Sequence, residues 1–92
     1  MPISEKDKLN LIKDILNNHQ IDHCGSISEC EQLGRLVNSL INQSHLEETS
    51  ISTLNEIYNY SQNGVNSPQL DEHIEAHQQV LSQWITRIDQ FF

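Results

Sequence analysis

The sequence predicts an all-α fold: one domain over residues 1–92, built as an antiparallel, up-down-up-down four-helix bundle. Three observations predict it. Apolar residues recur at three- and four-residue steps, the period of one helix face. Only two Pro and three Gly interrupt the chain, and the rest is rich in Asn, Gln and Ser with few strand-favouring runs. At 92 residues the chain is long enough for one core and too short for two.

The first helix is expected over about residues 4–20. Ser4 and Asp7 resemble a capping box with Asp in place of Glu, and Leu9, Ile12, Ile15 and Leu16 share a face. On the same wheel His19 falls near the middle of the apolar stripe and His23 within it, ahead of the break at Gly25. The second helix, about 27–43, opens on a full S-x-x-E box, Ser26 to Glu29, and carries Leu33, Leu36, Val37, Leu40 and Ile41 on one side.

The third helix, about 50–62, has Thr49, Ser50 or Ser52 as its cap and Ile51, Leu54, Ile57 and Tyr58 as its apolar side. Asn63-Gly64 supplies the left-handed stop expected past a helix end. The fourth, about 68–90, starts on Ser67-Pro68 and runs Leu70, Ile74, His77, Leu81, Trp84, Ile88, Phe91 as a heptad seam. His73 lies on its flank with Val80. Short links join the helices; with the third reduced to turns, a flat three-helix arrangement is the alternative.

Charge excludes several functions. Thirteen acidic residues against five basic ones give a net charge of −8, which repels phosphate backbones and anionic lipid. Nucleic acid and membrane surface are therefore not expected partners, whereas a basic protein or a metal ion would be attracted. The N-terminus lacks the apolar core of a signal peptide, and no apolar run suits a membrane span. A cytoplasmic setting with Cys24 and Cys30 as reduced thiols is expected.

Two histidine pairs, His19/His23 and His73/His77, share a four-residue spacing that puts each pair one helical turn apart. In an up-down-up-down bundle the end of helix 1 and the start of helix 4 lie at the same mouth, so the pairs can face one another with Cys24 beside them. Such a set suits zinc, held by imidazole nitrogen and thiolate. The plainer expectation is a half-buried polar cluster: His19 and His77 sit in the apolar seam, His73 on a flank and His23 near a helix end. The intervening residues do not form H-E-x-x-H, so no metalloprotease is implied. A third reading needs no metal. Buried neutral histidines with lowered pKa would stabilise the fold above about pH 6.5 and lose that contribution as pH falls.

Nothing marks an enzyme: there is no Gly-rich phosphate loop, no serine elbow and no basic-aromatic patch. Cys30 reads as a small core hydrophobe, and Cys24, in a turn, as a ligand candidate or the thiol of a small redox factor. Phe91 and Phe92, two terminal aromatics, are candidates for contact with a partner or a second copy. The residues Asp22-His-Cys-Gly-Ser-Ile-Ser-Glu-Cys-Glu-Gln32 and Leu70-Asp-Glu-His-Ile-Glu-Ala-His-Gln-Gln-Val-Leu-Ser-Gln-Trp84 resemble the YtzH-like family, small proteins of Gram-positive, spore-forming bacteria. That resemblance covers most of the chain and implies a bacterial cytoplasmic protein, with no activity or site residues to carry over. The expected function is a non-enzymatic interaction or regulatory module without a cofactor. The alternative is a zinc-type protein using His19, His23, His73, His77 and Cys24.

Overall fold

The computed structural model describes residues 5–22, 25–43 and 47–91, with the side chains of residues 5, 43 and 91 outside that description. Ser4, His23, Cys24, His45 and Phe92 lie outside it altogether, as does the Phe91 side chain, so the expectations placed on those residues are not addressed by it. The described residues form five α-helices: α1 (Glu5–Asp22), α2 (Ile27–Gln43), α3 (Glu48–Val65), α4 (Leu70–Ala76) and α5 (Gln78–Phe91). The fold is all-α, with one more helix than the periodicity implies.

The apolar stripes account for the core. Leu9, Ile12, Ile15 and Leu16 of α1 meet Leu33, Val37 and Leu40 of α2, Leu54, Ile57 and Tyr60 of α3, Ile74 of α4, and Leu81, Trp84 and Ile88 of α5. Each aliphatic side chain buried this way contributes about 1.5–3 kcal/mol of transfer free energy. α1 lies against α2 and α5, α2 most extensively against α3, and α3 also against α4 and α5.

Local chemistry explains where α2 begins. Glu29 N–H donates to Ser26 Oγ at 3.1 Å, and Ser26 N–H donates to Glu29 Oε1 at 3.0 Å, so the capping box closes reciprocally. Such a cap is worth about 1 kcal/mol.

The third helix is longer than its apolar period suggests. Its N-cap is Glu47, with no side-chain hydrogen bond, and it runs through Asn63-Gly64 to Val65. Gly64 is buried inside the helix, and a Cβ there would stand 2.8 Å from Cys30 Sγ. Gly34 on α2 repeats the arrangement, with a Cβ position 2.7 Å from Gln62 Nε2 and 2.9 Å from Ser61 Oγ. Gly64 is therefore a close-packing residue between α2 and α3 rather than a left-handed stop. A glycine reads as a terminator only when no neighbouring helix requires the missing side chain.

The fourth rod is broken. Ser67 Oγ accepts from Gln69 N–H at 3.3 Å in a turn around Pro68, and α4 starts two residues after Pro68, at Leu70, with Gln69 as N-cap. α4 then ends at His77, whose backbone sits at φ −108°, ψ 12°. A continuous helix would bond His77 N–H to the His73 carbonyl. Here His77 N–H donates to the Ile74 carbonyl at 3.1 Å, and His77 Nδ1–H takes the His73 carbonyl at 2.7 Å. Gln78 Nε2 donates to the Ile74 carbonyl at 3.3 Å and to the His19 carbonyl at 3.1 Å. Two consecutive side chains thus occupy carbonyls that the helix ladder would have used, which is a recognised cause of a sharp break. Across it Ile74, Leu81, Trp84 and Ile88 still face the core, so the heptad spacing survives the interruption.

Outside the core, Lys13 pairs with Asp89, Arg87 Nη1 meets Glu56 Oε2 at 3.2 Å, and Lys8 Nζ donates to Ser39 Oγ at 2.7 Å. Exposed ion pairs such as the first two are worth about 0–1 kcal/mol each. Among the described residues, no helix is long and apolar enough to cross a membrane.

Candidate functional site

Tyr60 is the hub on which the chemically capable side chains converge. It lies on the face of α3 marked by the buried residues Thr53, Ile57, Tyr60 and Gly64. Around its ring stand His73 at 4.8 Å (stacked), His77 at 5.1 Å and Trp84 at 5.4 Å (both edge-on), and His19 at 6.0 Å. The His73 and His77 rings are 4.4 Å apart. Three of the four paired histidines therefore meet; His23 and Cys24 lie outside the described residues.

The hydrogen bonds set the tautomers. His73 Nε2 lies 3.0 Å from the Tyr60 carbonyl, which only accepts, so Nε2 carries the proton. His77 Nδ1 is protonated for the same reason, toward the His73 carbonyl. His19 Nδ1 is 2.8 Å from Tyr60 Oη. Burial, with the Cys30 thiol and Glu29 adding to it, pushes the phenol well above its ordinary value, so Tyr60 keeps its proton and donates to Nδ1. That leaves the His19 proton on Nε2, which faces Glu29 Oε1 at 3.8 Å, too far for a hydrogen bond. His19 Nε2 and Trp84 Nε1 are buried without a hydrogen-bond partner.

Glycine makes room for this arrangement. A Cβ at Gly25 would lie 2.4 Å from His19 Nε2 and 3.2 Å from Glu29 Oε1, so position 25 takes a glycine against the imidazole edge. At Gly64 a Cβ would come within 3.4 Å of His73 Cδ2.

The electrostatics favour neutral rings. Burial lowers the His19 pKa below 6.5; Glu29 opposes that shift and His73 reinforces it. Burial also lowers that of His73, against the effect of its bond to the Tyr60 carbonyl and with that of His77. Burial, with Glu29 adding to it, pushes the Cys30 thiol up to about 11, which leaves it protonated at neutral pH and a poor nucleophile.

Sequence reasoning placed His19 and His77 on the core face but missed Tyr60, assigning Tyr58 to the apolar side instead. Tyr58 is half-buried, whereas Tyr60 is 2% exposed. The signal was present in the spacing of Thr53, Ile57, Tyr60 and Gly64, a helical face that includes two residues not counted as apolar. Among the described residues, no group of three His, Cys, Asp or Glu is placed to hold a metal ion.

A model of the YtzH-like protein family matches residues 3–88. The chain belongs to the YtzH-like family. It is also 40% identical over 91 residues, 99% of each chain, to the uncharacterised protein YtzH of Bacillus subtilis strain 168. No solved structure matches it. The relative's name states no activity, so the family membership leaves the chemistry to be argued from the geometry around Tyr60 and from the surface.

Proposed function

We propose that this chain is a cytoplasmic, non-enzymatic interaction module, built as an up-down-up-down bundle in which α4 and α5 together form the fourth rod. The bundle topology is supported by the meeting of the end of α1, the start of α2, the end of α3 and α4 around Tyr60. Burial keeps a substrate from three of the cluster's reactive groups, since His19 and Cys30 are 0% exposed and Tyr60 2%, while His73 and His77 are half-buried.

The observation that carries the interaction role is a surface cleft of about 490 Å³ between α2 and α3. Glu31, Arg35, Asn38, Tyr58 and Gln62 line it, beside Gly34. Side-chain amides can pair with a peptide backbone, and a half-buried tyrosine offers rigid contact area at low entropic cost. The net charge of −8 favours a partner with a basic surface and disfavours nucleic acid.

A photo-crosslinking residue at Asn38 is expected to capture one discrete partner, or a second copy, in cells, and Tyr58→Ala is expected to abolish the adduct. The same adduct formed from Gln83, on α5, would refute the assignment. Removing Phe91 and Phe92 in the same assay tests the terminal aromatics.

Zinc at His19, His23, Cys24, His73 and His77 is the competing reading. Against it, no group of three His, Cys, Asp or Glu among the described residues is placed to hold a metal ion. A chelator is accordingly expected to leave Tm unchanged for protein purified without a histidine tag. Stoichiometric zinc with a Tm that falls on chelation would establish the metal reading instead, since a metal held only by the native state raises Tm by mass action.

A further inference from the structure

We propose that the cleft between α2 and α3 receives an Asp or Glu side chain projecting from an otherwise basic partner surface, with Arg35 as its counter-ion. The inference rests on that cleft being the docking site. Arg35 stands out in the sequence itself. From residue 14 to residue 86 the chain carries ten acidic residues and one cation, Arg35. That cation is exposed, lines the cleft, and has no hydrogen bond or ion pair with any of the described residues.

Helical spacing lays the cleft out along two walls. Glu31, Gly34, Arg35 and Asn38 share one side of α2, and Tyr58 and Gln62 stand one turn apart on α3. Because Gly34 has no side chain, the Gln62 amide lies across α2. Its Nε2 is 2.7 Å from where a Cβ would stand, at the residue next to Arg35. Asn38 Oδ1 accepts from Asn42 Nδ2 at 3.2 Å, which leaves the Asn38 amide N–H groups to donate. The guanidinium, two side-chain amides and the Tyr58 hydroxyl are thus donors without a partner among the described residues, all lining one cleft. A carboxylate accepts several hydrogen bonds at once and takes a guanidinium in a two-pronged pair, so it is the group this set suits.

Glu31 sits one turn before Arg35, the spacing and order in which a helix ion pair forms, yet the pair is not closed. An exposed pair of this kind holds its members weakly, so a partner's carboxylate displaces Glu31. Glu31 is then left to face a Lys or Arg of the same partner. The surrounding charge makes Arg35 a specificity-determining residue. Elsewhere between residues 14 and 86 a partner's carboxylate meets no Lys or Arg, so a single Asp or Glu among basic residues fixes the register of the complex.

The test is a titration of the full chain with two blocked tripeptides, followed through its amide NMR spectrum and the Arg35 Nε–H resonance. One is acetyl-Lys-Glu-Lys-amide and the other acetyl-Lys-Gln-Lys-amide, so they differ only at the central side chain. The Glu peptide is expected to bind about tenfold more tightly, the size of one charge-assisted pair, and to shift the Arg35 and Gln62 amides and Arg35 Nε–H. The Gln peptide carries the larger positive charge, so nonspecific attraction to a protein of net charge −8 favours the opposite order. Arg35→Gln, at an exposed position, is expected to bind the two peptides equally, which isolates the pair in a double-mutant cycle. A preference for Glu that persists in Arg35→Gln, no preference in the wild type, or no shift in the cleft would each overturn the proposal. Acetate binding as tightly as the Glu peptide would make the cleft a site for a free carboxylate ion and overturn the protein partner. The crosslink from Asn38 tests the docking site separately: an adduct that Tyr58→Ala abolishes, with no preference between the peptides, leaves the docking site standing and sinks the carboxylate.

Discussion

Tyr60→Ala is expected to destabilise the protein by about 3–5 kcal/mol, the range for deleting a buried aromatic side chain. A chain of 92 residues has a total stability of roughly 5–14 kcal/mol, so this substitution brings it to the edge of unfolding at room temperature. The size follows from what the ring touches: two histidines, Trp84 and the buried His19 all pack on it. Tyr60→Phe separates the two roles of the residue. It keeps the ring and leaves His19 Nδ1 without its donor, a cost of about 1–3 kcal/mol for a buried polar group. Urea unfolding of both variants measures the difference. A Tyr60→Ala loss below about 1 kcal/mol would contradict the place given to this residue at the centre of the cluster.

Gly64→Ala is the second large effect, and its sign is a contest between two terms. In a helix interior, alanine is favoured over glycine by about 0.5–1 kcal/mol. Against that, the new methyl would lie 2.8 Å from the sulfur of Cys30, which is fully buried and has a single side-chain torsion with which to retreat. Overpacking of this kind costs about 1–3 kcal/mol, so Gly64→Ala is expected to be net destabilising. Cys30→Ala removes the obstructing sulfur and creates a small void of its own. The combined variant should be markedly more stable than the sum of the two changes, a coupling of about 1 kcal/mol or more in a double-mutant cycle. Additive losses would mean that α2 and α3 are not held apart by this contact.

These two positions also mark how far the chain could be read before it was folded. The helical periods of Leu9 to Leu16 and of Leu33 to Ile41, the Ser26–Glu29 box and the apolar placement of His19 are properties of one turn and its neighbours, and they are legible in the residues themselves. The role of Gly64 is hidden for the same reason. Asn-Gly is a terminator when only local backbone preference decides, and Cys30, thirty-four positions earlier, overrides that preference. His77 fits a heptad seam, yet its imidazole competes with the main chain for the His73 carbonyl, and the aromatic surroundings supplied by Tyr60 accompany that outcome.

Period, short-range hydrogen bonds and composition suffice for the helical character of the chain, its apolar stripes, the Ser26–Glu29 cap and an acidic surface. Packing between helices is what gathers three histidines on one tyrosine, brings α2 against α3 at two glycines, and accompanies the break of the last rod at His77. The decisive bond of the cluster joins residues 41 positions apart. Pairings at that range follow from which stripes pack together, and no spacing within one helix encodes them.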